Sequence, residues 1–237
     1  MHHHSMLRAF VFDFDGLILD TESALIRSYA DVHAAHNVTF DEALFFRAVG
    51  HVDFTFDPWI AFGPAGRHAE LETERQLLKI GRLEKLLPLP GVIALLDEAR
   101  AAGLRIAVAS NSEHAWVEPH LTRLGLLDRF AFLACREDVP SPKPEPDLYK
   151  LVLQNFGLRA HEAVAFEDSH TGSIAAKRAG LHTVAAPGPS TAHHDFAHVD
   201  LLVKSLAEVT LASLRQRFEG RAESPTRPPN PSPTTPR

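Results

Sequence analysis

The sequence contains a single cysteine, Cys135, in 237 residues, so an intrachain disulfide is excluded. It also lacks an apolar run of about 20 residues, the length of a membrane-spanning helix, and a secretory signal. Basic residues do not outnumber acidic ones (24 Lys and Arg against 30 Asp and Glu), so no positive field for nucleic acid is expected. These absences predict a cytoplasmic protein without nucleic-acid or membrane partners, in which Cys135 is a small core residue rather than a nucleophile.

The two ends of the chain are unlike the rest. Residues 1–5, Met-His-His-His-Ser, resemble the remnant of a purification tag, with Met6 as the native start. Residues 219–237 are rich in Pro, Ser, Thr and Arg and contain few apolar residues, so we predict a disordered tail. The remaining length fits one large domain or a domain with an insertion.

Apolar runs and helical patterns alternate along most of the chain. Strands are predicted at 7–13, 104–109, 130–134, 163–166, 183–186 and 201–203, with helices between them from residue 92 onward. Such alternation predicts an α/β protein with a Rossmann-like parallel sheet. Residues 20–86 are mainly helical, so we predict a helical domain inserted after the first strand, with the core formed by residues 6–19 and 87–218.

Two carboxylates follow the first strand in the sequence Asp13-Phe14-Asp15-Gly16. Burying two acids at a strand end is costly unless a cation lies between them. Gly16 allows a sharp turn, and ligands of open α/β sheets bind beyond the carboxyl ends of the strands. Taken alone, this segment is equally compatible with an ordinary acidic turn.

Polar residues also follow the later strands, and their chemistry is complementary. Ser110 and Asn111 follow the second strand, Lys143 lies between two prolines before a helix, and Glu167 and Asp168 follow the strand at 163–166. The Ser110 hydroxyl and the neighbouring backbone amides can hold phosphate oxygens, and Lys143 supplies a point charge. Asp13, Asp15 and Asp168 offer oxygen ligands for Mg²⁺. Together these groups suit phosphoryl transfer.

The order of these motifs resembles the haloacid dehalogenase superfamily of aspartate-nucleophile phosphatases, over residues 6–218. The segments 167–172 and 175–180 resemble the branch with a small helical cap, which contains β-phosphoglucomutase and many sugar-phosphate phosphatases. The resemblance implies the superfamily's fold, with residues 20–86 as the cap.

The resemblance also implies roles for individual residues. Asp13 attacks phosphorus, and Asp15 first protonates the leaving oxygen and then activates water. Mg²⁺ is held by the Asp13 carboxylate, the Asp15 backbone carbonyl and Asp168, with Glu167 close by. The expected phosphate-binding residues are Ser110, Asn111, Lys143 and Gly16.

Two departures from the mutases bear on the reaction. Leu25 stands where β-phosphoglucomutases carry a cap histidine, and Asp53 stands near the position of their phosphate-binding arginine. We therefore predict a monomeric, Mg²⁺-dependent phosphatase that acts on a small phosphorylated metabolite such as a sugar phosphate. The alternatives are a β-phosphoglucomutase-type mutase and a non-catalytic protein that binds a phosphometabolite.

Three further features of the sequence are an aromatic loop, a histidine-rich segment and a charged helix. His51 and Asp53, in an aromatic loop, are candidate substrate contacts of the cap, although that loop is equally suited to packing the cap's own core. The histidines between His193 and His198 could bind a transition metal, but a solvated loop is favoured because no second cluster supports a site. The charged helix at 70–85 is expected to turn Arg75 towards water.

Overall fold

The structure is a computed structural model that describes residues 6–42, 45, 57–63 and 65–219. The predicted tag remnant, the tail beyond Glu219 and both candidate cap residues, His51 and Asp53, lie outside these residues. Glu219, the first residue of the predicted tail, accepts a hydrogen bond from the backbone amide of Leu7 at 2.7 Å. Within the described residues, no helix combines the length and the apolar character needed to cross a bilayer.

In the described part of the chain, six parallel strands form one sheet, in the order β3-β2-β1-β4-β5-β6. The strands are β1 (Ala9–Phe12), β2 (Arg105–Ala109), β3 (Phe132–Ala134), β4 (Ala163–Glu167), β5 (His182–Ala185) and β6 (Leu201–Leu202). The central strands β1 and β4 are buried at every residue, because helices cover both faces of a parallel sheet. The α/β fold predicted from the alternating pattern is confirmed.

Helices pack on both faces of this sheet. The helices of the described residues are α1 (Thr21–Ala35), α2 (His68–Leu83), α3 (Val92–Ala101), α4 (His114–Arg123), α5 (Asp147–Phe156), α6 (His170–Arg178) and α7 (Leu211–Phe218). Side chains alternate along β1, so Phe10 and Phe12 face α3, α4 and α7, whereas Ala9 and Val11 face α5 and α6. The Phe12 ring stacks on Phe166 of β4, with 4.7 Å between the ring centres.

Helices α1 and α2 belong to the segment between β1 and α3, which we call the helical insertion (residues 20–86). They share a small apolar cluster of their own, formed by Val32, Trp59 and Leu71. The prediction that Arg75 points to water is wrong, since only 3% of Arg75 is exposed. Its guanidinium lies 4.8 Å from the centre of the Tyr29 ring and donates to Glu72 at 3.0 Å, so burial leaves the charge with partners.

The two connections between the insertion and the sheet lie side by side. The backbone amide of Leu89, in the second connection, donates to the carbonyl of Ile18, in the first, at 2.9 Å. Gly91 follows at φ +92°, and a Cβ there would lie 2.1 Å from the carbonyl carbon of Leu206. Only glycine fits this close backbone approach.

Candidate active site

The strand register brings the polar ends of β1, β2 and β4 to one edge of the sheet. Phe12 pairs with Val108 on one side and with Phe166 on the other. The next backbone amide, that of Asp13, donates to the carbonyl of Phe166 at 2.9 Å. Asp13 and the residues that follow β2 and β4 therefore meet at the carboxyl edge, where α/β proteins bind their ligands.

Lys143 lies at the centre of this edge and is 7% exposed. Its ammonium donates to Asp13 Oδ1 at 2.8 Å and to Glu167 Oε1 at 2.7 Å. Both backbone groups of Lys143 bind the side chain of Asn111, whose Oδ1 accepts at 2.8 Å and whose Nδ2 donates at 3.0 Å. The sequence predicts that Asn111 binds phosphate. In the structure, its side chain holds Lys143 in place.

Three buried carboxylates surround the ammonium. Asp13, Glu167 and Asp168 each offer an oxygen within 4.8 Å of the oxygens of the other two, and all three are buried. Tyr149 donates its hydroxyl to Glu167 Oε1, but the buried Glu167 Oε2 has no hydrogen-bond partner among the described residues. An unpaired buried carboxylate oxygen is costly, so this oxygen-only donor set fits a hard divalent cation such as Mg²⁺.

The pKa values in the cluster follow from burial and crowding of like charge. Burial raises the pKa of Asp13 and, together with the Asp13 and Glu167 charges, holds the pKa of Asp168 well above its usual range. Burial also raises the pKa of Glu167 to about 7. Although burial disfavours the Lys143 ammonium, Asp13 and Glu167 raise the pKa of Lys143 above its ordinary value. The carboxylates therefore need more positive charge than one lysine supplies.

Two glycines make room for these carboxylates. A Cβ on Gly16 would lie 2.2 Å from Asp168 Oδ2, and Gly16 has φ +79°. A Cβ on Gly172, in the first turn of α6, would lie 2.0 Å from Glu167 Oε2. Any side chain at either position would displace a carboxylate of the cluster. Gly16 is predicted from the sequence to bind phosphate. Its close approach to Asp168 is a separate reason why this position requires glycine.

Asp15 is held apart from the cluster by three donors. Its carboxylate accepts from the hydroxyl of Thr21 at 2.7 Å, from the hydroxyl of Ser112 at 2.6 Å and from Trp116 Nε1 at 3.0 Å. Lys79, from helix α2 of the insertion, places its ammonium 5.0 Å from the centre of the Trp116 ring. The insertion thus reaches a residue that contacts Asp15.

Ser110 is buried, and its hydroxyl accepts from the backbone amide of Ser112 at 3.0 Å. This bond shapes the turn between β2 and α4 at the carboxyl edge. Ser110 therefore belongs to the same loop as Ser112, whose hydroxyl donates to Asp15. This loop lies at the same edge of the sheet as the carboxylate cluster.

Sequence reasoning missed several residues of this site. Trp116 and Tyr149 lie in helical segments whose sequence carries no sign of a role in the site. Glu22 receives a hydrogen bond from Ser190, a residue 168 positions away, and burial raises the pKa of Glu22. The sequence signal for Glu22 is its place at the end of the segment 17–22, which extends the first motif.

The histidine-rich segment contacts helix α6. His198 Nε2 lies 2.8 Å from the Ser173 hydroxyl, and His170 Nδ1 lies 2.6 Å from the carbonyl of Asp195. No three donors gather there among the described residues.

The profile of the haloacid dehalogenase-like hydrolases matches residues 7–180. The chain therefore belongs to this family, as its motifs and its sheet suggest, and it is a phosphatase.

Three examples of similar proteins each match most of the chain. The chain is 38% identical over 213 residues to YhcW of Bacillus subtilis, covering 88% of this chain and 96% of YhcW. It is 31% identical over 216 residues to hexitol phosphatase B of Escherichia coli, covering 87% and 96% of the two chains. Among solved structures, CbbY of Rhodobacter sphaeroides in complex with phosphate aligns with a TM-score of 0.67 at 28% identity, covering 86% of this chain and 96% of CbbY.

Proposed function

We propose that the protein hydrolyses a small phosphomonoester through a phosphorylated Asp13, with Mg²⁺ as its metal. The observation that carries this proposal is the pairing of Asp13 with the Lys143 ammonium, 2.8 Å away, beside a carboxylate cluster that needs a cation. A second acid, Asp15, lies two residues further on and is held by its own donors.

The reaction has two steps. In the first, an Asp13 oxygen forms a bond to phosphorus while the bond to the leaving oxygen breaks, and Asp15 gives its proton to that oxygen. In the second, Asp15 takes a proton from water, whose oxygen attacks phosphorus and releases phosphate, restoring the Asp13 carboxylate. Lys143 and the loop at Ser110 and Asn111 provide positive charge and donors for the phosphoryl oxygens.

Asp13, Glu167 and Asp168 would hold Mg²⁺, with the Asp15 backbone carbonyl as a further ligand expected from the family resemblance. Bound there, the ion would neutralise charge on the phosphoryl group and on the cluster. The unpaired Glu167 oxygen and the raised pKa of Asp168 support this assignment, because both mark missing positive charge.

We propose residues 20–86 as a cap that closes over the substrate about its two connections and excludes water. Lys79 of the insertion lies against the Trp116 ring, and Trp116 donates a hydrogen bond to Asp15. The cap therefore contacts a residue that holds the proposed proton donor in place. The similarity to hexitol phosphatase B supports a phosphorylated polyol or sugar as the substrate class.

The test is phosphate release from hexitol phosphates, hexose 6-phosphates, β-glucose 1-phosphate and phosphoglycolate, with Mg²⁺ and with a chelator. Asp13→Asn should release no phosphate, while Asp128→Asn, at an exposed position outside the motifs, should match the wild type. Phosphate release by Asp13→Asn, or release that is insensitive to chelation, would overturn the proposal. Conversion of β-glucose 1-phosphate to the 6-phosphate without phosphate release would identify a mutase instead.

The intermediate has its own test. p-Nitrophenyl phosphate has a leaving group that needs no protonation, so Asp15→Asn should still transfer its phosphoryl group to Asp13 but hydrolyse the product slowly. We expect a burst of nitrophenol and a hydroxylamine-sensitive phosphoenzyme. A variant that turns over without accumulating phosphoenzyme would contradict the second role of Asp15.

A further inference from the structure

A second cluster of donors lies away from the carboxylate cluster and has a different chemistry. His114 begins α4, Cys135 directly follows β3, and Asp138 ends the short turn Arg136–Asp138. One donor atom from each of these three residues lies within 4.8 Å of those of the other two. His114 Nε2 is 2.9 Å from Asp138 Oδ2, a hydrogen-bond distance. Two ligands of a tetrahedral Zn²⁺ lie about 3.3 Å apart, so a small outward shift of these side chains would admit an ion.

A second carboxylate contacts the opposite ring nitrogen of His114, Nδ1. Glu118, one turn further along α4, has Oε1 2.9 Å from His114 Nδ1. A carboxylate bound to one ring nitrogen orients the ring so that the opposite nitrogen can bind a metal, the usual arrangement around metal-bound histidines. Here the opposite nitrogen is Nε2, which in this structure lies at hydrogen-bond distance from Asp138 Oδ2, so an ion would bind between these two atoms.

Backbone hydrogen bonds fix the other two donors. The Asp138 backbone amide donates to the sulfur of Cys135, and the Cys135 backbone amide donates to Asp138 Oδ2 at 2.8 Å. Amide donors to sulfur stabilise the thiolate form that a metal requires. Cys135 is buried, whereas the side chains of His114 and Asp138 are 32% and 29% exposed, so the cluster has an outer side through which an ion can enter.

We propose that His114, Cys135 and Asp138 form a second metal site, one that takes a thiophilic divalent cation such as Zn²⁺. Sulfur, nitrogen and carboxylate donors together select Zn²⁺ or Co²⁺ over Mg²⁺, which prefers oxygen ligands alone. Three protein ligands leave the fourth tetrahedral position for water. The proposal does not depend on the phosphatase reaction.

Metal binding at this site releases a proton, because a metal binds the thiolate form of cysteine. As the metal–sulfur bond forms, the S–H bond of Cys135 breaks and its proton passes to solvent. The Asp138 carboxylate, with an oxygen within 4.8 Å of the sulfur, attracts the incoming cation.

The position of the site indicates a structural role. The segment before His114 contains Ser112, which donates to Asp15, and the segment after Asp138 leads to Lys143. The loops that carry the three donors already touch, since the backbone amide of Arg136, between Cys135 and Asp138, donates to the carbonyl of Ser112 at 3.1 Å. A bound ion would fasten together two loops that carry active-site residues.

Titration with Co²⁺ tests the proposal, using a chain that begins at Met6 so that the N-terminal histidines cannot contribute. Cys135 is the only cysteine, so a sulfur-to-cobalt charge-transfer band can arise from this site alone. We expect the band in the wild type and in His193→Asn, its absence in Cys135→Ser, and a Co²⁺ affinity at least about tenfold lower in His114→Gln. Excess Mg²⁺ should leave the band in place, and Zn²⁺ should abolish it and raise Tm.

Absence of the band in the folded wild-type protein would overturn the proposal, with no variant needed. Equal Co²⁺ affinity in His114→Gln and His193→Asn would also overturn it, because the histidine would then not be a ligand. Activity plays no part in this readout, so its failure and that of the phosphatase proposal are separable.

Discussion

Replacing Lys143 with methionine removes the only ammonium that contacts the carboxylate cluster within the described residues, while keeping most of the side-chain volume. The ammonium donates to Asp13 at 2.8 Å and to Glu167 at 2.7 Å, and it is buried. Lys143→Met therefore leaves both carboxylates without their shared cation. We expect a large loss of activity and a comparable loss of stability.

The magnitude follows from the geometry. At an effective dielectric constant of about 20, each contact near 2.8 Å is worth roughly 6 kcal/mol of bare Coulomb energy, most of it offset by desolvation. Removing one partner of a buried ion pair costs about 3–5 kcal/mol in practice. Because Glu167, with a pKa of about 7, can take up a proton when the lysine is lost, we expect the lower end of this range. A transition-state loss of about 3 kcal/mol corresponds to roughly a hundredfold decrease in kcat/KM.

The assay is steady-state phosphate release at saturating Mg²⁺, beside urea unfolding of the same samples. Lys150→Met is the matched control, because Lys150 is exposed on α5, seven positions away in the sequence. The control should keep the wild-type kcat/KM. A Lys143→Met enzyme that is folded and as active as the control would refute the charge-compensation argument.

Three further predictions rest on other contacts. Trp116→Phe removes an N–H donor to a carboxylate, worth about 1.5–3 kcal/mol, so kcat should fall about tenfold or more in steady-state assays. Gly172→Ala should raise the Mg²⁺ concentration for half-maximal activity because its Cβ would meet Glu167, whereas Gly81→Ala, with nothing within 4 Å, should not. Burial lowers the pKa of His182, so the unfolded state takes up its proton more readily and stability falls as the pH drops through about 6.5. Chemical unfolding of His182→Gln at about pH 8 and about pH 5.5 should show a smaller loss than in the wild type.

The sheet and the polar residues at its carboxyl edge could be predicted because both leave local signals. A strand buried on both faces is apolar throughout, so β1 stands out in the sequence, and Asp13 marks its end. Parallel strands end at one edge, and this rule alone places Lys143 and Glu167 near Asp13 before any contact is known.

The contacts that hold the site residues and the insertion in place could not be predicted, because the two residues of each contact are distant in the sequence. Trp116 reaches Asp15 across 101 positions, and its spacing in α4 is that of an ordinary packing residue. Arg75 has the sequence pattern of a solvated helix face, yet it is buried against Tyr29 of another helix. Such pairings depend on how helices are set against each other, which hydrophobic periodicity does not specify.

The charges of the carboxylate cluster account for the need for both Lys143 and a metal. Asp13, Glu167 and Asp168, when ionised, carry three negative charges, and Lys143 supplies one positive charge, which leaves a net charge of −2. A dianionic phosphate would be repelled from such a site, and a divalent cation brings the site to neutrality before the substrate arrives. The lysine cannot replace the metal, because its ammonium is already bonded to two of the three acids and Glu167 Oε2 still lacks a partner in the described part of the chain. The metal cannot replace the lysine either, since without the ammonium the cluster would remain negative when the phosphate approached Asp13.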